Sequence, residues 1–287
     1  MFINERLLNE LISRALDEDI GSGDLTTNSI VPGDIAVVGY IKAKQRGVAA
    51  GLPVAGAVFR RLDPDLQFMP RVAEGARISP GDVLAQLNGR ARTVLTGERL
   101  ALNFLQRLSG IATVTADLVE AVRGYSVRIV DTRKTTPGLR QLEKYAVRVG
   151  GGHNHRLGLF DAVLIKDNHI RVAGGIKQAV ESARSRVPHT VKIEVETEDL
   201  NGVLEALEAG ADIIMLDNMD IRTMAEAVRL INGRVPVEAS GGIGAQTIDA
   251  VAATGVDIIS VGALTHSAVA LDISLDVGEL KPMRGRV

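Results

Sequence analysis

The second half of the chain alternates short apolar runs with helical runs, and this pattern limits the fold more than any other feature. The apolar runs, rich in β-branched residues, predict strands at 127–130, 162–165, 191–195, 213–216, 235–239 and 258–261. The runs between them predict helices at 139–148, 176–186, 200–209, 224–231 and 245–253. Strands that alternate with helices pair in parallel and are joined by right-handed crossovers. We therefore predict a parallel α/β sheet from about residue 126.

A polar residue or a glycine comes at or just after the end of every predicted strand. These residues are Asp131, Lys166, Glu196, Asp217, Ser240 and Gly262. In an α/β barrel the carboxyl ends of all strands meet at one mouth, where active sites lie. An open sheet instead binds ligands at a switch point served by few strands. The pattern therefore favours an incomplete, six-stranded parallel α/β barrel.

The chain before residue 110 has a different pattern, typical of an α+β domain. Strands are predicted at 37–42 and 66–72, and a helix at 52–61. A further helix at 96–108 leads into the barrel. We predict an N-terminal α+β domain at 1–110 and an α/β barrel domain at 111–271. The C-terminal tail, 272–287, is expected to pack on the N-terminal domain.

Composition excludes several functional classes. The net charge of −2 argues against a nucleic-acid-binding protein, so any basic patch must be local. The absence of cysteine excludes thiolate nucleophiles and zinc–thiolate sites. Residues 1–19 form an acidic amphipathic pattern unlike a signal peptide, and no apolar run reaches membrane-spanning length. We therefore expect a cytoplasmic protein that has no membrane partner.

The segment after the first predicted strand, 131–138, is the densest in polar groups. Arg133 and Lys134 are adjacent, so their side chains project in different directions. A guanidinium pairs with a carboxylate through two hydrogen bonds, and an ammonium meets a phosphate as a point charge. Thr132 adds a hydroxyl group. The segment is interpreted as an anion-binding loop, and the alternative is a solvated, charged connection between strand and helix.

Three glycines at 150–152 precede His153, His155 and Arg156. Glycines permit close approach of the backbone to a ligand, and His155 and Arg156 add hydrogen-bond donors. Alternate residues of an extended segment share a face, so the two histidines could also hold a metal ion. The neighbouring Arg156 disfavours a cation, and a structural role is the better interpretation of His153.

Lys166 ends an apolar strand, where an ammonium group is costly to bury without an anion nearby. Two functions suit it. It could bind a substrate carboxylate, or it could form a Schiff base with a carbonyl substrate. A salt bridge to Asp167 is the structural alternative, although neighbours along a strand point apart.

Carboxylates come at the ends of two further strands, as Glu194 and Glu196 on one strand and Asp217 on the next. Oxygen ligands at an open site suit Mg²⁺, which usually also takes substrate phosphate oxygens. Glu196 is nearer the mouth than Glu194, so we predict a Mg²⁺ site at Glu196 and Asp217. Ion pairs with the basic residues are the alternative role of these acids.

Glycine-rich turns follow the last two predicted strands, at 239–243 and 261–266. Backbone N–H groups in these two turns form the usual phosphate cup of α/β barrels. Together with the cations and carboxylates, the cup predicts a site for two anionic reactants. One is a phosphorylated sugar that carries a pyrophosphate.

The order of these motifs resembles the quinolinate phosphoribosyltransferase family, also called carboxylating nicotinate-nucleotide pyrophosphorylases. The resemblance covers nearly the whole chain, through segments 17–19, 23–27, 98–103, 108–113, 131–138, 144–158 and 165–170. It implies that quinolinate and phosphoribosyl pyrophosphate are converted into nicotinate mononucleotide, pyrophosphate and CO2, with Mg²⁺, in NAD biosynthesis. The family's barrel has six strands, as counted here.

The resemblance also implies a role for each site residue. The residues that hold the quinolinate carboxylates would be Arg133, His155, Arg156 and Lys166, with Arg99 completing the site. Lys134 would meet the phosphoribosyl pyrophosphate, and Thr132 belongs to the same substrate site. The Mg²⁺ and the ribose hydroxyls would be served by Glu196 and Asp217. The 5′-phosphate would be held by Ser240, Gly241, Gly242, Gly262 and His266. The catalytic set is Lys134, Lys166, Glu196 and Asp217.

In this family the N-terminal domain of one subunit covers the barrel of its partner. The resemblance thus implies a homodimer, or a hexamer, in which Arg99 acts in trans. Three other functions compete with this interpretation. A homologue associated with molybdenum transport is the nearest, and a Schiff-base aldolase that uses Lys166 is the second. A non-catalytic phosphate-binding module is the third, and it would leave Arg133, Arg156 and Lys166 without a purpose.

Overall fold

A computed structural model of the 287-residue chain describes residues 4–282. The helices are α1 (Glu5–Ile20), α2 (Leu25–Ile30), α3 (Leu52–Leu62), α4 (Ala91–Ala121), α5 (Arg140–Val149), α6 (Asp167–Ala173), α7 (Ile176–Arg186), α8 (Leu200–Glu208), α9 (Ile221–Ile231), α10 (Ile248–Ala252) and α11 (Ala263–His266). The strands are β1 (Ile35–Ala43), β2 (Gly47–Val48), β3 (Gln67–Pro70), β4 (Arg77–Ile78), β5 (Val83–Arg90), β6 (Arg128–Val130), β7 (Val163–Ile165), β8 (Ile193–Thr197), β9 (Ile213–Asp217), β10 (Val237–Ser240), β11 (Ile258–Ser260) and β12 (Ile273–Pro282).

The described residues form two compact units. The first contains residues 4–114, 141–150 and 268–282, and the second contains 115–140 and 151–267. The ends of the second unit lie close to the predicted limits of the barrel, 111 and 271. Segment 141–150, which carries most of α5, clusters with the first unit, although the sequence placed it in the barrel domain.

The first unit is built on an antiparallel sheet with the strand order β12-β1-β5-β3. Strand β12 pairs along nearly all of β1, from Ile273 opposite Ala43 to Pro282 opposite Ile35. The C-terminal tail therefore contributes an edge strand to the N-terminal sheet, and residues 283–287 lie outside the described part. The apolar face of helix α3 is buried. On this face, the ring of Phe59 stacks on the ring of Phe68 from β3, with centroids 6.1 Å apart.

Helix α1 begins where the side chain of Asn4 accepts a hydrogen bond from the Leu7 N–H, as N-cap residues do. Ile12 and Leu16 are its buried residues, which agrees with the predicted amphipathic helix. Residues 1–3 of that prediction lie outside the described residues. None of the helices within 4–282 is long and apolar enough to cross a membrane.

Helix α4 corrects the sequence prediction. It was expected at 96–108 with a domain boundary at Ser109–Gly110, but it continues to Ala121. A glycine within a helix costs roughly 1 kcal/mol relative to alanine, so Gly110 inside this helix needs a structural reason. In the structure, the missing Cβ of Gly110 leaves room for the carbonyl group of Val269. This close approach explains a glycine inside a continuous helix.

The second unit contains six parallel strands in the order β6-β11-β10-β9-β8-β7. All six predicted strands are present, with ends shifted by a few residues at most. Parallel strands covered by helices are apolar, and β8 is buried along its whole length. Polar caps start the helices on the outside: Asp199 accepts a hydrogen bond from the N–H of Gly202, and Asp220 accepts from that of Thr223. These caps fix where each helix begins after its strand.

Candidate active site

The carboxyl ends of the six strands open on one cavity of about 500 Å³ in the second unit. Its lining residues are Thr132, Arg133, Lys134, His155, Arg156, Leu164, Lys166, Glu196, Met215, Asp217, Asn218, Glu238, Ser240, Gly241, Gly242 and Ser260. Residues next to both edge strands, β6 and β7, are among them. The edge strands of a flat six-stranded sheet would lie roughly 24 Å apart. A shared cavity therefore means that the sheet curls, as in the predicted incomplete barrel.

Most of the predicted site residues line this cavity, and three do not. Gly262 and His266 lie beside it: a Cβ on Gly262 would come 3.1 Å from Nε2 of His266 and 3.2 Å from Cδ of Lys134. Arg99 is exposed on α4 in the first unit. That unit carries a wider depression of about 1210 Å³, lined by residues of α1, α3 and α5, and no predicted site residue lines it.

The loop after β6 is held by hydrogen bonds to its backbone. The Lys134 N–H donates to the Thr132 hydroxyl at 3.0 Å, and the Thr265 hydroxyl donates to the Lys134 carbonyl at 2.7 Å. The Arg140 guanidinium bridges to the Thr135 hydroxyl at 2.9 Å and to the Arg133 carbonyl at 3.4 Å. These hydrogen bonds hold the backbone of the loop in place, and its role in anion binding stays a prediction.

Asp131, at the start of that loop, is fully buried and holds a second segment in place. Its carboxylate accepts hydrogen bonds from the His155 N–H at 2.9 Å and from the Asn154 side-chain amide at 2.5 Å. His153 pairs through its backbone with Val130, which anchors the glycine-rich run beside β6. The side chain of His153 is exposed and outside the cavity lining, and its structural role stays a prediction.

Two guanidinium groups lie side by side in the cavity. Burial, followed by the charge of Arg133, lowers the pKa of Arg156. Nε of Arg133 is buried and has no hydrogen-bond partner among the described residues. A buried N–H group without a partner costs about 1–3 kcal/mol, so the pair favours an anionic ligand that would accept from it.

Lys166 forms an ion pair with Glu196, from β8 next to β7, and not with its chain neighbour Asp167. The backbone N–H of Lys166 donates to Nδ1 of His169 at 3.0 Å, which starts α6. An ammonium held by a carboxylate must lose its proton before it can attack a carbonyl carbon. The pair therefore favours the anion-binding role of Lys166 over the Schiff-base role.

The turn after β10 leaves its backbone open to the cavity. Gly241 and Gly242 have φ values of +97° and +61°, a region that favours glycine. A Cβ on Gly241 would collide with the side chain of Asn218. Asn218 itself has φ +54° and its N–H donates to the Ser240 carbonyl at 2.9 Å. The hydrogen bond from Asn218 thus holds the turn after β10 against the turn after β9. A phosphate group can approach the backbone of the two glycines.

Glu196 and Asp217 offer the oxygen ligands expected of a Mg²⁺ site. They end the neighbouring strands β8 and β9, and both line the cavity. The side-chain amide of Asn218 donates to Asp217 at 2.8 Å, which leaves its second carboxylate oxygen available. Hard carboxylate oxygens at an open site suit Mg²⁺. In Glu196, Oε2 is the oxygen that pairs with Lys166.

A buried acid at the floor of the cavity was missed by the sequence prediction. Glu238 lies on β10, and Nε2 of His155 is 3.6 Å from its carboxylate and 3.1 Å from that of Glu194. Burial, followed by the charge of Glu194, raises the pKa of Glu238 to about 8. The signal was present in the sequence, since Glu238 is the acid in an otherwise apolar strand. Arg140 and Asp131, which hold the loops, were also not assigned these roles.

Two family models match the chain. The quinolinate phosphoribosyl transferase N-terminal domain matches residues 24–109, and the C-terminal domain of the same family matches residues 111–276. The two models meet between residues 109 and 111.

Proteins of several organisms are similar to the chain over nearly its whole length. A probable nicotinate-nucleotide pyrophosphorylase (carboxylating) of Bacillus subtilis is 46% identical over 275 residues, covering 96% of this chain and 95% of that protein. A chloroplastic nicotinate-nucleotide pyrophosphorylase (carboxylating) of Arabidopsis thaliana is 43% identical, covering 94% and 82%. The solved structure of the nicotinate-nucleotide pyrophosphorylase from Francisella tularensis superposes with a TM-score of 0.93 at 41% identity, covering 96% and 98%.

Proposed function

Because the chain belongs to the quinolinate phosphoribosyltransferase family, we propose that it transfers a phosphoribosyl group from phosphoribosyl pyrophosphate to quinolinate. The products are nicotinate mononucleotide, pyrophosphate and CO2, a step in NAD biosynthesis. One observation carries the proposal: four basic side chains, Arg133, Lys134, Arg156 and Lys166, line a single cavity of about 500 Å³. Two polyanionic reactants that meet in one place require such a surplus of positive charge.

The quinolinate carboxylates are assigned to Arg133, Arg156 and Lys166, with His155 beside them. Guanidinium groups pair with planar carboxylates through two hydrogen bonds, and the buried Nε of Arg133 would gain a partner. The aldolase alternative uses Lys166 but gives Arg133 and Arg156 no comparable task, and the phosphate-module alternative gives none of the three a task. A homologue linked to molybdenum transport would be distinguished by its failure to use quinolinate.

The phosphoribosyl pyrophosphate is assigned to the other side of the cavity. Thr132 and Lys134 would contact its phosphates, and the turn that contains Gly241 would take the 5′-phosphate with the neighbouring groups. Those groups are Ser240, Gly242, Gly262 and His266. Glu196 and Asp217 would hold Mg²⁺ and the ribose hydroxyls. Mg²⁺, when bound, supplies positive charge to the pyrophosphate oxygens.

The reaction needs no protein nucleophile. The bond between C1 of the ribose and the pyrophosphate oxygen breaks, and the lone pair of the pyridine nitrogen forms the new bond to C1. Lys134 stabilises the charge that develops on the leaving group. The ring is then cationic, so it stabilises the electron pair left on C2 when the bond to the carboxylate breaks and CO2 departs. A proton takes the place of CO2, and Arg133 and Arg156 keep the ring in position throughout.

The assembly is a further part of the proposal. We infer a homodimer, or a hexamer, in which Arg99 of one subunit completes the quinolinate site of its partner. The support is the family resemblance together with the exposure of Arg99 on α4. The cytoplasmic location expected from the sequence stays a prediction.

One assay tests the function. The purified full-length chain is incubated with quinolinate, phosphoribosyl pyrophosphate and Mg²⁺, and nicotinate mononucleotide is measured by chromatography while pyrophosphate and CO2 are measured in parallel. We expect equal amounts of the three products and none when quinolinate is omitted. Absence of the mononucleotide at all quinolinate concentrations would reject the proposal. Trapping of Lys166 by borohydride with a carbonyl substrate would instead support the aldolase.

A further inference from the structure

Three side chains at the floor of the cavity form a buried cluster, here named the floor trio: His155, Glu194 and Glu238. Nε2 of His155 lies 3.1 Å from an oxygen of Glu194 and 3.6 Å from an oxygen of Glu238. The side chains of Glu194 and Glu238 are 5% and 2% exposed. None of the roles assigned above to substrates or Mg²⁺ uses the two acids.

The two acids cannot both be ionised at low cost. Each has one carboxylate oxygen, Oε1, that is buried and has no hydrogen-bond partner among the described residues. Two like charges in a buried site raise the affinity of one of them for a proton. Burial and the charge of Glu194 accordingly raise the pKa of Glu238 to about 8, and His155 and the Ser260 hydroxyl oppose this only in part. At neutral pH, Glu238 therefore carries a proton.

Other charged and polar groups around the cavity could change this proton affinity. Within contact of Glu238 are Glu194 from β8, Ser260 from β11 and His155 from the segment between α5 and β7. The remaining charged groups of the lining are Arg133, Lys134, Arg156, Lys166, Glu196 and Asp217. Lys166 and Glu196 neutralise each other as an ion pair. Bound anionic substrate would offset the other cations, so it would strengthen proton binding by Glu238.

The ring of His155 is held at both nitrogens. Nδ1 accepts the backbone N–H of Arg156 at 2.7 Å, and Nε2 faces the two acids. This arrangement assigns the ring proton to Nε2. To hold a carboxylate, His155 must instead present an N–H at Nδ1, because Nε2 points into the protein. Nε2 then needs a donor of its own, and a protonated carboxyl group supplies one.

We propose that Glu238 is a positioning residue for quinolinate: its carboxylic acid donates to Nε2 of His155 and thereby lets Nδ1–H of the same ring donate to a substrate carboxylate. The proposal rests on the proposed function of the cavity. The two states hold the same number of protons. Without ligand, one proton is on Nε2 of His155 and the other is on Glu238. With ligand, one proton is on Nδ1 of His155 and the other lies between Nε2 and Glu238. Once Nδ1 carries the proton, it no longer accepts the backbone N–H of Arg156, so that N–H can donate to the same substrate carboxylate.

The sign of the pH dependence follows from this arrangement. The group acts in its protonated form, so its contribution is complete well below pH 8 and is lost as the pH rises through that value. The ratio kcat/KM for quinolinate reports the free enzyme. It should fall about tenfold between pH 7 and pH 9 in the wild-type enzyme.

The test compares Glu238→Gln with Glu238→Met. The glutamine amide donates a hydrogen bond at every pH, as the protonated acid does, whereas methionine has similar length and no donor. We expect Glu238→Gln to keep kcat/KM for quinolinate within about threefold of wild type at pH 7 and to vary less than twofold up to pH 9. Glu238→Met should lose about 30-fold or more at pH 7. The KM of phosphoribosyl pyrophosphate should change little in either variant.

A binding measurement separates this inference from the function itself. Titration calorimetry of quinolinate at pH 9 in two buffers of different ionisation enthalpy should show uptake of nearly one proton by wild type and none by Glu238→Gln. If wild type neither turns over nor binds quinolinate, the proposed function fails. If wild type is active and Glu238→Gln keeps the wild-type alkaline decline, this inference fails alone. Should Glu238→Met not fold, the comparison of wild type with Glu238→Gln still decides.

Discussion

In the described structure Lys166 is ion-paired with Glu196, so a group assigned to quinolinate holds a group assigned to Mg²⁺ and ribose. The two side chains come from the adjacent strands β7 and β8. When both substrates bind, Lys166 would pair with a quinolinate carboxylate, and Glu196 would contact Mg²⁺ and the ribose hydroxyls instead of Lys166. With these assignments, the pair would link the quinolinate side of the cavity to the Mg²⁺ side.

Lys166→Ala is expected to remove activity and leave the fold intact. The ammonium group is partly exposed and its partner serves the ligand side of the cavity, so little packing is lost. The value of kcat/KM for quinolinate should fall about 100-fold, because the ammonium group assigned to a substrate carboxylate is lost. Thermal melting should change by only a few degrees. Lys192→Ala, whose side chain is exposed and pairs with Asp212 outside the cavity, is the matched control. Near-normal turnover, or failure to fold, would show that the assignment is wrong.

The enzyme is expected to discriminate strongly against nicotinate, which lacks the second carboxylate. Arg133 and Arg156 lie together in the cavity, and a monocarboxylate would leave a partly buried guanidinium unpaired. Sites built to pair a polar group of the substrate reject analogues that lack it by about 10⁴-fold. Steady-state kinetics with each acid at saturating phosphoribosyl pyrophosphate measures the ratio. Comparable kcat/KM values for the two acids would contradict the assignment.

Gly241→Ala should weaken binding of phosphoribosyl pyrophosphate. The backbone at Gly241 has φ +97°, where a side chain is strained, and the new Cβ would collide with Asn218. We expect the KM of phosphoribosyl pyrophosphate to rise about tenfold or more because the turn must shift away from the 5′-phosphate. Gly244→Ala is the control on the same turn, since nothing lies within 4 Å of its Cβ. Equal effects of the two substitutions would argue against a phosphate cup at this turn.

The proposed action of Arg99 across subunits predicts complementation. Arg99→Ala and Lys134→Ala should each be nearly inactive. A hybrid dimer has one site with both defects and one site with neither, so mixing should restore activity. With free exchange, half of the dimers are hybrids, and the mixture should reach about a quarter of the wild-type rate.

The mixing experiment needs proof that hybrids form. Different affinity tags on the two variants allow the hybrid to be isolated by two successive purifications. If isolated hybrids are as inactive as the separate variants, Arg99 does not act on the partner's site. If Arg99 only forms a weak surface pair, for example with Glu98, Arg99→Ala should instead stay near wild-type activity by itself.

The sequence by itself determined the repeating elements and the residues at the strand ends. The side-chain period of a strand and the spacing of a helix are local properties, so the apolar runs located all six parallel strands. The same local signals predicted that Arg133, Lys166, Glu196 and Asp217 would share one mouth, and these four line one cavity. Local signals also misled at Gly110, since the contact that explains this glycine is made with Val269, far along the chain.

Only the tertiary structure decided which of these polar groups hold one another. Asp131 became a support of the His155 backbone, and Lys166 paired with Glu196 and not with Asp167. Glu238 gained its raised pKa from burial and then from the charge of Glu194, which is distant in sequence and close only because β8, β9 and β10 are neighbours in a curled sheet. The physical reason is that proton affinity and pairing depend on burial and on distance in space. Neither quantity is set by the spacing of residues along one strand.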